Sequence, residues 1–274
     1  MTRTALVAGG GRLPTLLVEA LRADDAPFVV AEMEGCPAEV PDATPLIFRL
    51  ERLVPFLDRL ADEGVTRVCF AGAVRRPKIE PELFDPRTAA LVPRLLAAIG
   101  SGDDAALRAV IGIFEDFGLE VVGADAVAPD LVPGPGILAG VPGEGDRSDA
   151  ARAAEIVARL GDLDLGQGAV VVQGLCLAVE TLPGTDAMLE FAALHAGRLR
   201  PDPNGARGVL YKAAKPGQDR RIDLPAIGPE TVRAAHRAGL AGIAWQAGAA
   251  LLLDRAAVID EARTRDVFLW SRAP

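Results

Sequence analysis

The apolar positions of this chain change period along its length. Short apolar runs at Thr4–Ala8, Phe28–Ala31, Pro45–Phe48, Arg67–Ala71 and Leu119–Val122 read as strands. Between them, apolar residues recur at helical spacing: Leu16, Leu17, Ala20 and Leu21, then Leu53, Val54, Phe56, Leu57 and Leu60 with Gly64 as a stop. Leu91 to Ile99 is a further apolar helix. Ser101-Gly102-Asp103-Asp104 then opens another through Leu107, Val110, Ile111 and Phe114, with Ser101 or Asp103 suited to cap it. This alternation predicts an α/β fold whose N-terminal half is a parallel, Rossmann-like sheet.

The pattern breaks between Pro129 and Gly145, where four prolines and five glycines cluster. That composition predicts a domain boundary, with a first domain over 1–132, a Pro/Gly-rich linker over 133–147 and a second domain over 148–274. The second half opens with a helix from about Ser148 to Leu160. Strands at Ala169–Val172 and Leu175–Val179 follow, joined at Gln173-Gly174 in a hairpin. Pro183-Gly184-Thr185-Asp186 launches a helix, with Thr185 as a natural cap and Asp186 complementing the helix dipole. Arg207–Ala213 is a strand, Pro229 suits the first turn of a helix, and short strands at Gly242–Trp245, Ala250–Leu253 and Val267–Leu269 enclose a helix over Ala256–Arg265. The second domain is therefore expected to be mixed α/β.

Composition narrows the function. Half of the 274 residues are hydrophobic, enough for a substantial core, and 38 acidic against 29 basic residues give a net charge of -9. Bulk nucleic-acid binding and attraction to an anionic membrane surface are both disfavoured, so any anionic ligand must be drawn by local basic clusters. Cys36, Cys69 and Cys176 stand far apart without histidine partners, which argues against a zinc site and a disulfide framework. No signal peptide or membrane-length apolar run is evident, so the expected location is cytoplasmic, at most peripheral to the inner membrane.

Three stretches carry candidate chemistry. Gly9-Gly10-Gly11 between the first strand and helix admits a phosphate contact, with Arg12 adding charge, and equally a structural turn. Arg75 and Arg76 lie just beyond a strand's carboxyl end, where open parallel sheets bind ligands. From Lys212 to Gly228 runs a basic island in an acidic protein: Lys212, Lys215, Arg220 and Arg221 interleave with Asp219 and Asp223, framed by Pro216-Gly217 and Leu224-Pro225. Hydrolysis of a phosphoanhydride needs a positioned water, cations for the developing charge and one or two carboxylates for a hydrated magnesium ion, and this stretch contains all of them. The bland alternative is a surface salt-bridge cluster, Asp219 with Arg220 or Arg221. His195 and His236 fall in predicted helices with no nucleophile beside them.

Six ordered motifs span nearly the whole chain: Ala8-Gly9-Gly10-Gly11-Arg12-Leu13-Pro14, Gly72-Ala73-Val74-Arg75-Arg76-Pro77, Gly102-Asp103-Asp104, Leu163-Asp164-Leu165-Gly166-Gln167, Gly184-Thr185-Asp186-Ala187-Met188 and the run from Lys215 to Pro225. Together they resemble the magnesium-dependent UDP-2,3-diacylglucosamine pyrophosphatase family of lipid A biosynthesis, the branch unrelated to metallophosphoesterases. The resemblance implies hydrolysis of UDP-2,3-diacylglucosamine to 2,3-diacylglucosamine 1-phosphate and UMP, in a cleft between a Rossmann-like and a mixed α/β domain. It implies Asp186, Asp219 and Asp223 as catalytic and magnesium-binding carboxylates, with Lys212 and Lys215 as phosphate partners. Gly10, Gly11, Arg12, Arg75, Arg76 and Asp104 become substrate contacts from the first half; Gln167, Thr185 and Arg220 become contacts from the second. Pro183 and Gln246 stand where relatives are expected to carry acidic residues, so neither serves as a metal ligand here. A diacylated substrate also requires an apolar groove or a transient meeting with the membrane, and a homodimer, even a swapped one, is compatible with the chain.

Two other classes stay open on the sequence. A nicotinamide-dependent oxidoreductase would use the first glycine turn with Glu32 or Glu34 as its ribose-binding acid, although the full dinucleotide fingerprint is missing. A non-catalytic nucleotide-sugar or glycolipid binding protein would use the same phosphate loops without turnover.

Overall fold

The computed structural model describes residues 2–74, 79–99 and 103–273, and its chain divides into two compact units, 1–129 and 130–274. In the first unit, β1 (Arg3–Ala8) leads into α1 (Leu13–Ala23), followed by β2 (Phe28–Met33), β3 (Leu46–Phe48), α2 (Leu53–Asp62) and β4 (Val65–Ala71). After it come α3 (Pro86–Ala89), α4 (Val92–Ile99), α5 (Asp103–Asp116), β5 (Glu120–Val122) and α6 (Ala124–Val127). The five strands lie in the order β3-β2-β1-β4-β5 and every pairing is parallel, so the predicted Rossmann-like sheet is present. Leu6, Val30 and Val68 are buried on this sheet, with Leu17 of α1 and Leu57 and Leu60 of α2 also buried. Each such side chain stabilises the fold by roughly 1.5–3 kcal/mol.

The second unit contains β6 (Gly136–Ala139), α7 (Glu144–Asp162), β7 (Gly168–Val172), β8 (Leu175–Val179), α8 (Gly184–Leu199) and β9 (Val209–Lys212). It continues through β10 (Ala226–Ile227), α9 (Pro229–Arg237), β11 (Gly242–Gln246), β12 (Leu251–Leu252), α10 (Arg255–Thr264) and β13 (Phe268–Arg272). Its main sheet runs β6-β13-β11-β9-β7-β8: β9, β11 and β13 are parallel, with an antiparallel strand on one flank and an antiparallel hairpin on the other. This is the mixed sheet expected for the C-terminal half.

The alternation of side chains along β9 decides where the chemistry falls. Val209 and Tyr211 face the side covered by Ala150, Ala153 and Val157 of α7, while Leu210 joins Leu189, Val232 and Val258 of α8, α9 and α10 on the opposite face. With a period of two, Lys212 belongs to the face of Leu210, at the carboxyl end of a central parallel strand.

Two expected features differ in detail. The Pro/Gly-rich stretch 133–147 carries β6, which pairs antiparallel with β13, and the first turn of α7. A four-residue edge strand tolerates flanking prolines because half of its backbone groups need no ladder partner. The helix starts early because the Asp146 carboxylate accepts a hydrogen bond from the Gly143 amide at 2.9 Å. The hairpin turn stands as expected: Gln173 and Gly174 both take positive φ, at 51° and 80°, and the buried Asp149 of α7 accepts from both of their amides at 2.9 and 2.7 Å. Burial pushes the Asp149 carboxyl up against those two hydrogen bonds.

Candidate functional site

In the first unit, the loops after β1 and β4 are locked to each other. The Gly9 amide donates to Ala71 O, the Gly10 amide to Ala73 O, and the Ala73 amide back to Gly10 O, each at 2.8 Å. A Cβ on Gly9 would stand 2.5 Å from Ala73 O, and one on Gly72, at φ 89°, would stand 2.6 Å from Gly10 O. These glycines therefore permit the close approach of two backbones. The Gly10 amide, one of the expected substrate contacts, already has its partner. Gly11 and Arg12 are exposed at the start of α1, and Arg12 pairs with Glu19 at 3.3 Å. Arg75 and Arg76 lie outside the described residues; Asp104 lies within α5, and its side chain is outside the description. Of the acids considered for a ribose, Glu32 is buried and Glu34 pairs with Arg49 at 3.0 Å. Arg49 also holds Glu80 at 2.7 Å and the buried Glu51 at 3.4 Å, a clamp on the segment that follows β4.

The second unit assembles the charged stretch differently. Lys212 is 4% exposed. Its Nζ donates to Thr185 Oγ1 at 2.6 Å and stands 3.6 Å from Glu180 Oε2; the Thr185 hydroxyl in turn donates to Glu180 Oε1 at 3.1 Å. Thr185 is thus not the helix cap that its position indicates. The helix α8 begins two residues earlier than a Thr185 cap would have it, at Gly184 with φ 87°, with Pro183 at the cap position making no side-chain cap bond, and the Thr185 hydroxyl turns to the lysine. Burial pushes the Lys212 ammonium below its ordinary value, opposed first by Glu180 and then by Asp186 and Asp223.

Asp223 is oriented by two amides. Its Oδ2 accepts from Gln167 Nε2 at 2.9 Å and from Gln218 Nε2 by a short bond, while Gln218 Oε1 accepts from Gln167 Nε2 at 3.0 Å and from the Lys215 amide at 2.8 Å. Burial pushes the Asp223 carboxyl above the usual carboxylate value, despite the counter-pull of Lys215, the two amides and Lys212. A carboxylate fixed in direction yet raised in pKa is suited to accept a proton from water. Lys215 is tied by its Nζ to Asp164 Oδ1 at 2.5 Å, and with Arg220, Gln218, Tyr211 and Gln246 it borders a hollow of about 240 Å³ against α7.

Not every expected residue joins this cluster. Asp219 is held by Arg221, whose Nε donates at 2.9 Å and whose Nη2 donates at 2.7 Å, so its charge is already met by a guanidinium. Asp186 is exposed in the first turn of α8, close enough to act on Lys212. Among the described residues, no three Asp, Glu, His or Cys side chains converge as a metal cage. Magnesium takes one or two protein carboxylates when substrate phosphates and waters complete its shell, so a shared ion held by Asp186, with Asp223 nearby, would fit this donor set where a closed protein site would not.

Three participants were not assigned from sequence: Glu180, Gln218 and Asp164. The signal for Glu180 was the Gly166-Gln167-Gly168 triplet. Gly168 sits opposite Lys212 in the sheet, and a Cβ there would stand 2.6 Å from Glu180 Oε2; a Cβ on Gly166 would overlap Glu180 O. Beside the cluster, Val179, Thr181, Pro183, Gly184, Met188 and Phe191 help to line an open apolar hollow of about 290 Å³ between β8 and α8. Among the described residues, no helix is long and apolar enough to cross a membrane.

A Rossmann-like unit followed by a mixed α/β unit, with a buried lysine and an amide-held aspartate near the carboxyl end of a central parallel strand, defines a two-unit α/β protein organised to hold an anionic ligand. The LpxI N-terminal domain model matches residues 3–131, and the LpxI C-terminal domain model matches residues 135–270. The chain belongs to the LpxI family. It is 39% identical over 276 residues to the UDP-2,3-diacylglucosamine pyrophosphatase LpxI of Caulobacter vibrioides, a match covering 100% of this chain and 99% of that protein. The resemblance drawn from the six motifs is thereby borne out.

Proposed function

We propose that this chain hydrolyses the pyrophosphate bond of UDP-2,3-diacylglucosamine, giving UMP and 2,3-diacylglucosamine 1-phosphate, a step of lipid A biosynthesis. The observation that carries the reading is the Asp223 carboxylate, aimed by Gln167 and Gln218 and raised by burial, in a chain alike over its full length to a relative of that name. Asp223 takes a proton from the attacking water as its oxygen bonds to one phosphorus of the diphosphate. The bond from that phosphorus to the bridging oxygen breaks, and the bridging oxygen leaves on the other phosphate. Lys212 and Lys215 stabilise the charge that gathers on the phosphate oxygens. When bound, a magnesium ion would supply further neutralisation of those oxygens, and Asp186 would be the carboxylate that helps to hold it, leaving the Asp223 carboxylate to take the proton.

The apolar hollow between β8 and α8 is proposed to receive part of an acyl chain, because Thr181 and Gly184 in its wall adjoin Glu180 and Thr185 of the charged cluster. Leu182, 98% exposed, and Leu194, 73% exposed, are available for a transient contact with the membrane that carries such a substrate. The direct test is UMP release from the diacylated substrate with magnesium and its loss with chelator. Phe191→Asp should raise KM for the diacylated substrate with little change in kcat; an unchanged KM would remove the hollow from the proposal.

A further inference from the structure

Glu180 lies at the end of the hairpin strand β8, and its carboxylate is nearly enclosed, with a side-chain exposure of 14%. Its two oxygens are treated unequally. Oε1 accepts from the Thr185 hydroxyl, whereas Oε2 is buried with no hydrogen-bond partner and stands 3.6 Å from the Lys212 ammonium. A buried carboxylate oxygen that makes no hydrogen bond and faces an ammonium 3.6 Å away ties Glu180 and Lys212 to each other, since each buried charge is met by the other.

The chemistry of the three groups fixes the direction of the chain. An ammonium only donates, so the 2.6 Å contact makes the Thr185 oxygen an acceptor from Lys212. The single hydroxyl hydrogen of Thr185 is then committed to Glu180 Oε1. Lys212 is consequently held in direction by Thr185, and Thr185 by Glu180. The room for this arm is provided by Gly166 and Gly168, the positions where a side chain would meet Glu180, while Gln167 between them reaches the Asp223 arm instead. One three-residue segment thus serves both halves of the cluster. The charged groups acting on Lys212 are Glu180, Asp186 and Asp223, and Glu180 is foremost.

We propose that Glu180 is a positioning residue: acting through the Thr185 hydroxyl, it anchors the Lys212 ammonium so that it is presented to the diphosphate of the substrate. The proposal rests on the reading of the site as a pyrophosphatase centre. Glu180 itself touches no reacting atom. Its contribution is to fix the lysine's position and to offset the unfavourable burial of its charge.

The test is steady-state release of UMP from UDP-2,3-diacylglucosamine by Glu180→Gln, Lys212→Ala and the double variant. Glu180→Gln is expected to lower kcat about ten- to a hundredfold with KM changed less than about threefold, since an interaction made mainly in the transition state is lost. In the Lys212→Ala background the same substitution should cost less than about twofold more, because residues acting as one unit are not additive. Thr185→Val keeps both charges and removes only the bridge; it should reproduce the loss of kcat even if Glu180→Gln folds poorly, while Thr185→Ser should restore turnover to within about threefold. A Glu180→Gln or Thr185→Val protein with wild-type kcat, or a full additional loss in the double variant, overturns the proposal. Absence of turnover in the wild type would remove the pyrophosphatase reading and the proposal with it; wild-type turnover with an unaffected Glu180→Gln removes the proposal alone.

Discussion

The glycine loops of the first unit and the charged cluster of the second use opposite means at comparable places, the carboxyl ends of central parallel strands. At β1 and β4, backbone meets backbone: Gly9, Gly10, Ala71 and Ala73 pair their amides and carbonyls, and Gly9 and Gly72 give the room for it by lacking a side chain. At β9, side chain meets side chain, with a buried lysine, two carboxylates, a hydroxyl and two amides held in a fixed pattern. The first arrangement lowers the energy of the fold. The second places an ammonium and a raised carboxylate where folding alone would not favour them, which is the mark of a site kept for its chemistry.

That contrast can be broken by substitution. Lys212→Ala should lower kcat by about two to three orders of magnitude, the loss typical of removing a donor to developing charge, measured by UMP release. Gly9→Ala should act the other way: a Cβ 2.5 Å from Ala73 O forces the two loops apart, destabilising the unit by about 1–3 kcal/mol in denaturant unfolding, with kcat per folded molecule retained. A large kcat loss in folded Gly9→Ala would give the first unit a chemical role in place of the structural one.

The pH profile sharpens the same comparison. Burial raises the Asp223 pKa above its ordinary value of 3.8, so kcat/KM should be full above the raised value and fall as pH drops through it, with the acid limb set above the ordinary carboxylate range. The linkage to stability has the opposite sense. A carboxyl whose folded pKa is raised contributes most below its unfolded pKa, and that contribution is lost as pH rises through the folded value. Activity and the Asp223 contribution to stability should therefore move in opposite directions across this window. The smallest effect is expected for Arg221→Ala, which releases Asp219 at a partly exposed pair and should change kcat by less than about threefold.

The sequence was most informative where a residue's type already demanded company. Lys212 and Asp223 stood out as charges in a stretch framed by prolines, and Gln167 through its motif. Short apolar runs foretold most of the strands, and the parallel first sheet followed from strand–helix alternation. Glu180 was not visible as a partner because 32 residues separate it from Lys212, and only the sheet register that sets Gly168 beside Lys212 joins them. Gln218 carries no charge to mark it. The glycine turn after the first strand left a phosphate contact and a structural turn equally open, because such a turn looks the same in sequence whether its N–H groups face a ligand or a neighbouring loop. β6 was hidden by the prolines and glycines around it, which signal a linker as readily as an edge strand.

Asp223→Asn isolates the central claim, since it keeps the size of the side chain while removing its ability to accept a proton. Measured at saturating UDP-2,3-diacylglucosamine with magnesium, the variant should release UMP about a thousandfold more slowly than the wild type while melting within a few degrees of it. Turnover within about threefold of the wild type would contradict the assignment of the chemistry to this cluster.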